Sequence, residues 1–176
     1  MRTDPILQFI FERRREMLET LRRLVECESP SSQKAAVDRC LDLVADCAEP
    51  LGCRLRRHRS REFGDHLQAD FDFAEQAART PPGGAGPGLA GGRRTPRRTG
   101  RLLVLGHADT VWELDTLKRM PFRLKKGRAY GPGVLDMKAG ITVALYALAA
   151  LRRLRAPVRK RVTLLLTADE EVGSPS

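Results

Sequence analysis

The chain has 176 residues, 41% of them hydrophobic and 31% charged, with a formal net charge of +10. That length suits one domain or part of a larger one, the hydrophobic share can bury a real core, and the charged share is ordinary for a soluble protein. The positive charge comes from 26 Arg against 6 Lys, scattered over residues 13–15, 22–23, 93–98 and 152–155, and aromatics make up only 5%. A dedicated nucleic-acid reader gathers its charge on one face and adds stacking rings, so no specific nucleic-acid partner is expected, only non-specific adhesion to polyanions.

Residues 6–25 place Leu7, Ile10, Phe11, Met17, Leu18, Leu21, Leu24 and Val25 at three- and four-residue steps, which predicts one amphipathic helix. The opening "MRTDPILQFIFERRREML" is too short an apolar patch to span a membrane and has no small-residue cleavage site. A cytoplasmic address with no membrane partner is the resulting expectation. "ESPSS" reads as the start of a second helix carrying Val37, Cys40, Leu41, Val44 and Ala48, with Pro50 and Gly52 as its stop. Cys27, Cys40, Cys47 and Cys53 form no CxxC pair, and they read as buried thiols of a reducing compartment.

"CRLRRHR" and "HLQADFDF" alternate and predict half-exposed, paired strands. Residues 79–100 change character: 16 of these 22 are Gly, Pro or Arg, too few apolar groups to offset ordering entropy, so a disordered insert is expected. "RLLVLGHADT" follows, a continuous apolar run that predicts a strand buried on both faces of a parallel sheet. "RAYGPGVLDMKAG" opens a helix with the stripe Ile141, Leu145, Leu148 and Leu151, closed at Pro157. "RVTLLLTADEE" is a second buried strand. Strand, helix and strand make a βαβ unit, whose ligand sites lie off the carboxyl ends of the strands. The expected class is α/β, a mostly parallel sheet with flanking helices.

Both polar clusters, "GHAD" and "ADEE", fall at those ends. His107 and Asp109 stand two apart and project to one side of an extended chain, as an imidazole ligand and its orienting carboxylate would. The same pair also reads as a satisfied His beside a capping Asp. Asp136 reads either as an N-cap or as a carboxylate shared between two cations. A phosphate loop is excluded, because Lys138 lies between Met137 and Ala139 rather than within Gly-Lys-Ser/Thr. Glu170 and Glu171 would face opposite sides of an extended chain, one toward a metal and the other toward its water. Crowded carboxylates are tolerable where dications neutralise them.

"GHADTVW", "MPF", "YGPGVLDMKAG" and "TADEEVGSPS", in this order, resemble the M20 metallopeptidase family. "LVECESPSS" and "GDHLQADF" bring the chain nearest to the glutamate carboxypeptidase (carboxypeptidase G2-like) branch. The resemblance implies a zinc-peptidase-like catalytic domain and two Zn2+ ions per complete site. Of the metal ligands, His107 would hold one ion and Glu171 the other, with Asp136 bridging them. Asp109 would orient His107, Glu170 would be the general base, and a cis peptide would follow Asp136.

The implied activity is hydrolysis of an amide in a small peptide-like or N-acyl amino acid substrate, releasing a C-terminal residue such as glutamate. An aminoacylase (deacetylase) or dipeptidase of the same family, and a non-catalytic interaction module derived from such an enzyme, stand as alternatives. Members of the family carry a further acidic ligand beyond Glu171, a lid-like dimerisation domain and a late His ligand. His58 and His66 precede the first buried strand and are expected at the surface. Residues 1–176 therefore read as the N-terminal part of a catalytic domain, inactive by itself, from a full-length homodimer.

Overall fold

The computed structural model describes residues 4–73 and 100–176. The insert expected over 79–100 lies outside the described residues, apart from Gly100 at its end. Asp4 accepts the Ile6 amide at 2.7 Å and Pro5 opens helix α1 (Pro5–Glu12). Where one helix was expected over 6–25, the chain breaks at Arg13 (φ −100°, ψ 11°) and restarts as α2 (Arg14–Glu26). Packing explains the break. α1 buries only Phe9 and leaves Leu7 and Phe11 64% and 67% exposed, whereas α2 buries Leu21, Leu24 and Val25. Short helices depend on tertiary contacts, and only the second segment is pinned by a full set.

α3 (Lys34–Ala48) buries the expected stripe of Val37, Cys40, Leu41, Val44 and Ala48. It runs into a 3-10 turn at Glu49–Leu51, after which Gly52 takes the left-handed conformation at φ 71°. Strands β1 (Arg54–His58) and β2 (His66–Phe71) follow, then β3 (Arg101–His107), the short hairpin β4 (Arg123–Lys125) and β5 (Arg128–Tyr130), helix α4 (Ala139–Arg153), and β6 (Arg161–Thr167).

The main sheet runs β1-β2-β6-β3. β1 pairs antiparallel with β2, and β2 antiparallel with β6; only β3 and β6 run parallel, joined through α4. The α/β class holds, but the sheet is mixed rather than mostly parallel. One face carries the core: Leu67, Ala69 and Phe71 of β2 and Val162, Leu164 and Leu166 of β6 meet Val37, Leu41 and Val44 of α3 and Ile141, Leu145 and Leu148 of α4. The stretch Val134–Arg153 is long and apolar enough to cross a membrane by composition alone, yet here it supplies part of that core.

β3 departs from expectation. It is an edge strand, and Leu102, Leu103 and Leu105 are 48%, 57% and 60% exposed. A continuous apolar run records that a strand suits burial on both faces, without recording which element covers it.

Asp70 projects from β2 beside Thr163 of β6, Arg56 of β1 and its own neighbour Gln68. Burial alone would raise its pKa. Hydrogen bonds donated by Thr163 Oγ1 (2.6 Å), Arg56 (2.7 Å) and Gln68 Nε2 (2.9 Å) outweigh that and bring it down to about 2. A carboxylate depressed in the folded state stabilises above its unfolded pKa, and that stability is lost as pH falls through the folded value. Asp70→Asn should therefore cost about 1–2 kcal/mol near neutrality, a figure discounted because Arg56 is largely solvent-exposed. In urea melts the deficit should shrink as pH falls from about 5 towards 2; a deficit independent of pH would assign the loss to packing instead.

Candidate metal centre

The register that pairs His107 with Thr167 brings the carboxyl ends of β3 and β6 side by side. The chain leaving β6 does not stay extended, as the sequence suggested; Glu170–Val172 form a 3-10 turn, so the two glutamates are separated by a turn rather than by a pleat. Asp136 lies in a wide turn, Val134–Lys138, with a cis peptide to Met137, as the resemblance implied. Gly133 enters that turn at φ 65°, and a Cβ there would stand 2.7 Å from Thr110 Cγ2, so no larger residue fits without displacement. The capping reading of Asp136 falls: the residue preceding α4 is Lys138, no side chain caps that helix, and Asp136 turns to His107.

Three chain segments converge here. His107 Nε2 lies 3.0 Å from Asp136 Oδ1 and 3.8 Å from Glu170 Oε2. Donor atoms of His107, Asp136 and Glu171 all fall within 4.8 Å of one another. His107 is only 5% exposed, whereas the Asp136 side chain is 72% exposed, so the cluster has a buried wall and an open mouth. On the imidazole's other side, Nδ1 is 3.1 Å from the Asp109 backbone carbonyl and 3.4 Å from its Oδ1. Asp109 thus reaches the nitrogen expected of it, with its own carbonyl as the nearer contact.

Asp109 is fully buried and heavily bonded. It accepts from Ser31 Oγ at 2.7 Å, from the Glu171 amide at 3.1 Å and from the Glu170 amide at 3.3 Å. Burial pushes its pKa up; the bonds from His107, Ser31 and the Glu171 amide outweigh that and hold it below the usual range. The same carboxylate raises His107 to about 9 against the opposing effect of burial, and Asp136 adds to the rise. Burial pushes Glu171 up. Asp169, the first of the three consecutive acids, points inward and accepts from the amide and hydroxyl of Ser176 at 3.0 and 2.6 Å. His58 is exposed and bonds Gln68, while half-buried His66 meets Ser176; neither joins the cluster.

Sequence reasoning missed Ser29 and Ser31. The sequence suggests that they start α3, but Gln33 holds the N-cap position and no side chain caps that helix. Instead Ser31 holds Asp109, and Ser29 donates to the Ala108 carbonyl at 2.8 Å while its own carbonyl accepts from Thr110 N at 2.8 Å. A Ser-Pro-Ser run looks the same whether it caps a helix or buttresses a distant loop, so no local signal marked them.

An imidazole nitrogen and two carboxylates within reach of one ion form a donor set suited to a divalent cation. Residues 103–176 match the model of peptidase family M20/M25/M40. The chain is 40% identical over 73 residues to carboxypeptidase G2 of Pseudomonas sp. (strain RS-16), covering 42% of this chain and 18% of that protein. It is 38% identical over 73 residues to succinyl-diaminopimelate desuccinylase of Corynebacterium glutamicum, covering 42% and 19%. Its fold matches human carnosine dipeptidase 1 with a TM-score of 0.71 at 20% identity, over 97% of this chain and 35% of that one. The chain thus spans well under half the length of these relatives.

Ser31→Ala removes a hydrogen bond to a buried charged acceptor and should cost about 1.5–3 kcal/mol in urea unfolding, whereas the exposed Ser32→Ala should stay within about 0.5 kcal/mol. Equal effects of the two changes would show that Asp109 does not depend on Ser31.

Proposed function

We propose that His107, Asp136 and Glu171 hold Zn2+ in a site that hydrolyses an amide bond, a reading supported by the match of residues 103–176 to the model of peptidase family M20/M25/M40. The observation that carries this reading is the convergence of those three donors within 4.8 Å from three separate segments. His107 would serve one ion and Glu171 a second, with Asp136 shared between them. Bound there, zinc supplies Lewis-acid polarisation of a carbonyl and lowers the pKa of water towards neutrality.

The remaining roles belong to the chain's own groups. Asp109 fixes the tautomer and orientation of His107 by accepting at Nδ1, which leaves Nε2 facing the open side. Glu170 does not belong to the three-donor group. Its side chain is 54% exposed, with Oε2 beside His107 Nε2, where it would take the proton of an attacking water and return it to the leaving amine. The 3-10 turn keeps Glu170 and Glu171 in these different positions, and Asp109 holds both of their amides.

The substrate we favour is a small peptide-like or N-acyl amino acid amide that yields a free C-terminal residue such as glutamate. The 40% identity to a carboxypeptidase supports it. The 38% identity to a desuccinylase supports an N-acyl amino acid as the second reading, with the same residues in the same roles.

In an enzyme carrying the complete ligand set, Glu170→Gln should keep its zinc while losing about 10²–10⁴-fold in kcat, and Glu171→Ala should lose zinc. Metal analysis beside kinetics decides this, and the opposite pattern would reverse the two roles.

Residues 1–176 by themselves should bind zinc weakly and turn over no N-acyl-glutamate. Each ion would have two donors from the described residues, whereas catalytic zinc generally takes three from the protein. Micromolar or tighter affinity in a zinc titration, together with turnover, would refute this.

A further inference from the structure

We propose that the amino end of the main sheet holds a binding site for a small multivalent oxyanion of the phosphate class, separate from the metal centre at the opposite end. β1, β3 and β6 run in one direction, because β1 and β6 both pair antiparallel with β2 and β3 pairs parallel with β6. Each of these three strands opens on an arginine: Arg54, Arg101 and Arg161. The register sets Arg101 beside Arg161, and the last turn of α4 brings Arg152 to the same end. Arginines far apart in the chain are gathered here by the direction of the strands.

A cavity of about 350 Å³ lies among them, lined by Arg54, Arg56, Arg152 and Arg161 together with Asp70 and Asp72. That volume falls at the small end of the range for ligand sites. Four guanidiniums meet only two carboxylates, so positive charge is in excess around the space. Asp70 is engaged within the sheet, where it accepts from Thr163, Arg56 and Gln68. Arg161 Nη2 stands 3.9 Å from Asp72 Oδ2, too far for a hydrogen bond, and among the described residues no carboxylate pairs with Arg54. Arg54 and Arg161 therefore keep donors for an incoming anion.

Arg152 shapes the wall. Its Nε donates to Leu51 O at 2.7 Å, Nη2 to Gly52 O at 3.1 Å and Nη1 to Asp72 O at 3.3 Å, and its guanidinium lies over the Phe73 ring at 4.9 Å. A guanidinium held in place loses little freedom when a ligand arrives. Planar forks of donors that stay charged at every ordinary pH suit the oxygens of a phosphate better than an apolar or cationic ligand. Like charges crowded round one space repel, and a bound anion relieves that repulsion. β6 spans seven residues, which puts the cavity about 20 Å from the metal centre. The anion therefore does not occupy the place of an amide substrate.

The test titrates the full 176-residue protein with pyrophosphate by calorimetry, in zinc-free buffer at physiological ionic strength. The expected result is saturable one-to-one binding. Arg54→Gln and Arg161→Gln should each weaken it about tenfold, whereas Arg15→Gln, at an exposed position of α2, should weaken it less than about twofold. Equal weakening in all three variants would overturn the proposal, leaving only the general attraction of a chain with net charge +10. Binding indifferent to Arg54 and Arg161, or no saturable binding to the unaltered protein, would overturn it as well. The readout needs no metal and no turnover, so a failure here is distinct from a failure of the zinc reading.

Discussion

The arrangement of the candidate centre depends on one buried anion. Asp109 is fully inaccessible to solvent, and a bare carboxylate there would be costly. It is retained because its acceptor sites are filled from three directions: the hydroxyl of Ser31 from the segment before α3, the imidazole of His107 from the end of β3, and the amides of Glu170 and Glu171 from the turn after β6. Satisfying that carboxylate fixes the relative positions of segments far apart in sequence. The His107 ring and the Glu171 carboxylate inherit their places from it. Asp136 arrives separately, on the turn that opens α4.

The sheet supplies the frame in which this can happen. One parallel pair, β3 with β6, aligns two carboxyl ends, and the turn that opens α4 brings Asp136 to the same edge, against His107. The antiparallel strands β1 and β2 add the width on which α3 packs, and they widen the core without contributing to the centre. The helical face is well covered, while the leucines of β3 stand open on the edge strand. The centre therefore sits where a dense core meets an accessible rim, which accounts for a buried histidine next to a largely exposed Asp136.

Much of this was legible in the sequence, for identifiable reasons. The stripes of α3 and α4 follow from residue spacing, because burial on one side of a helix imposes a three-to-four-residue period. β1 and β2 follow from alternation, and the end of α3 follows from Pro50 and Gly52. His107 and Glu171 stood out because polar groups directly after apolar strands gather where α/β sheets place their ligands, and Asp136 because it follows a Gly-rich turn at the start of a helix. In each case the signal is local, carried by neighbours within a few residues.

What the sequence determined by itself was thus most of the elements, the buried stripes of α3 and α4 and the identity of the converging donors, all governed by short-range periodicity and the chemistry of side chains. Tertiary structure alone decided the break at Arg13, the mixed order of the sheet, the exposure of β3, the turn that separates Glu170 from Glu171, and the use of Ser29 and Ser31 as braces for the centre. Each of these turns on which distant surface meets a given residue. Periodicity records that a side chain suits burial or a hydrogen bond, and only the assembled fold supplies the partner.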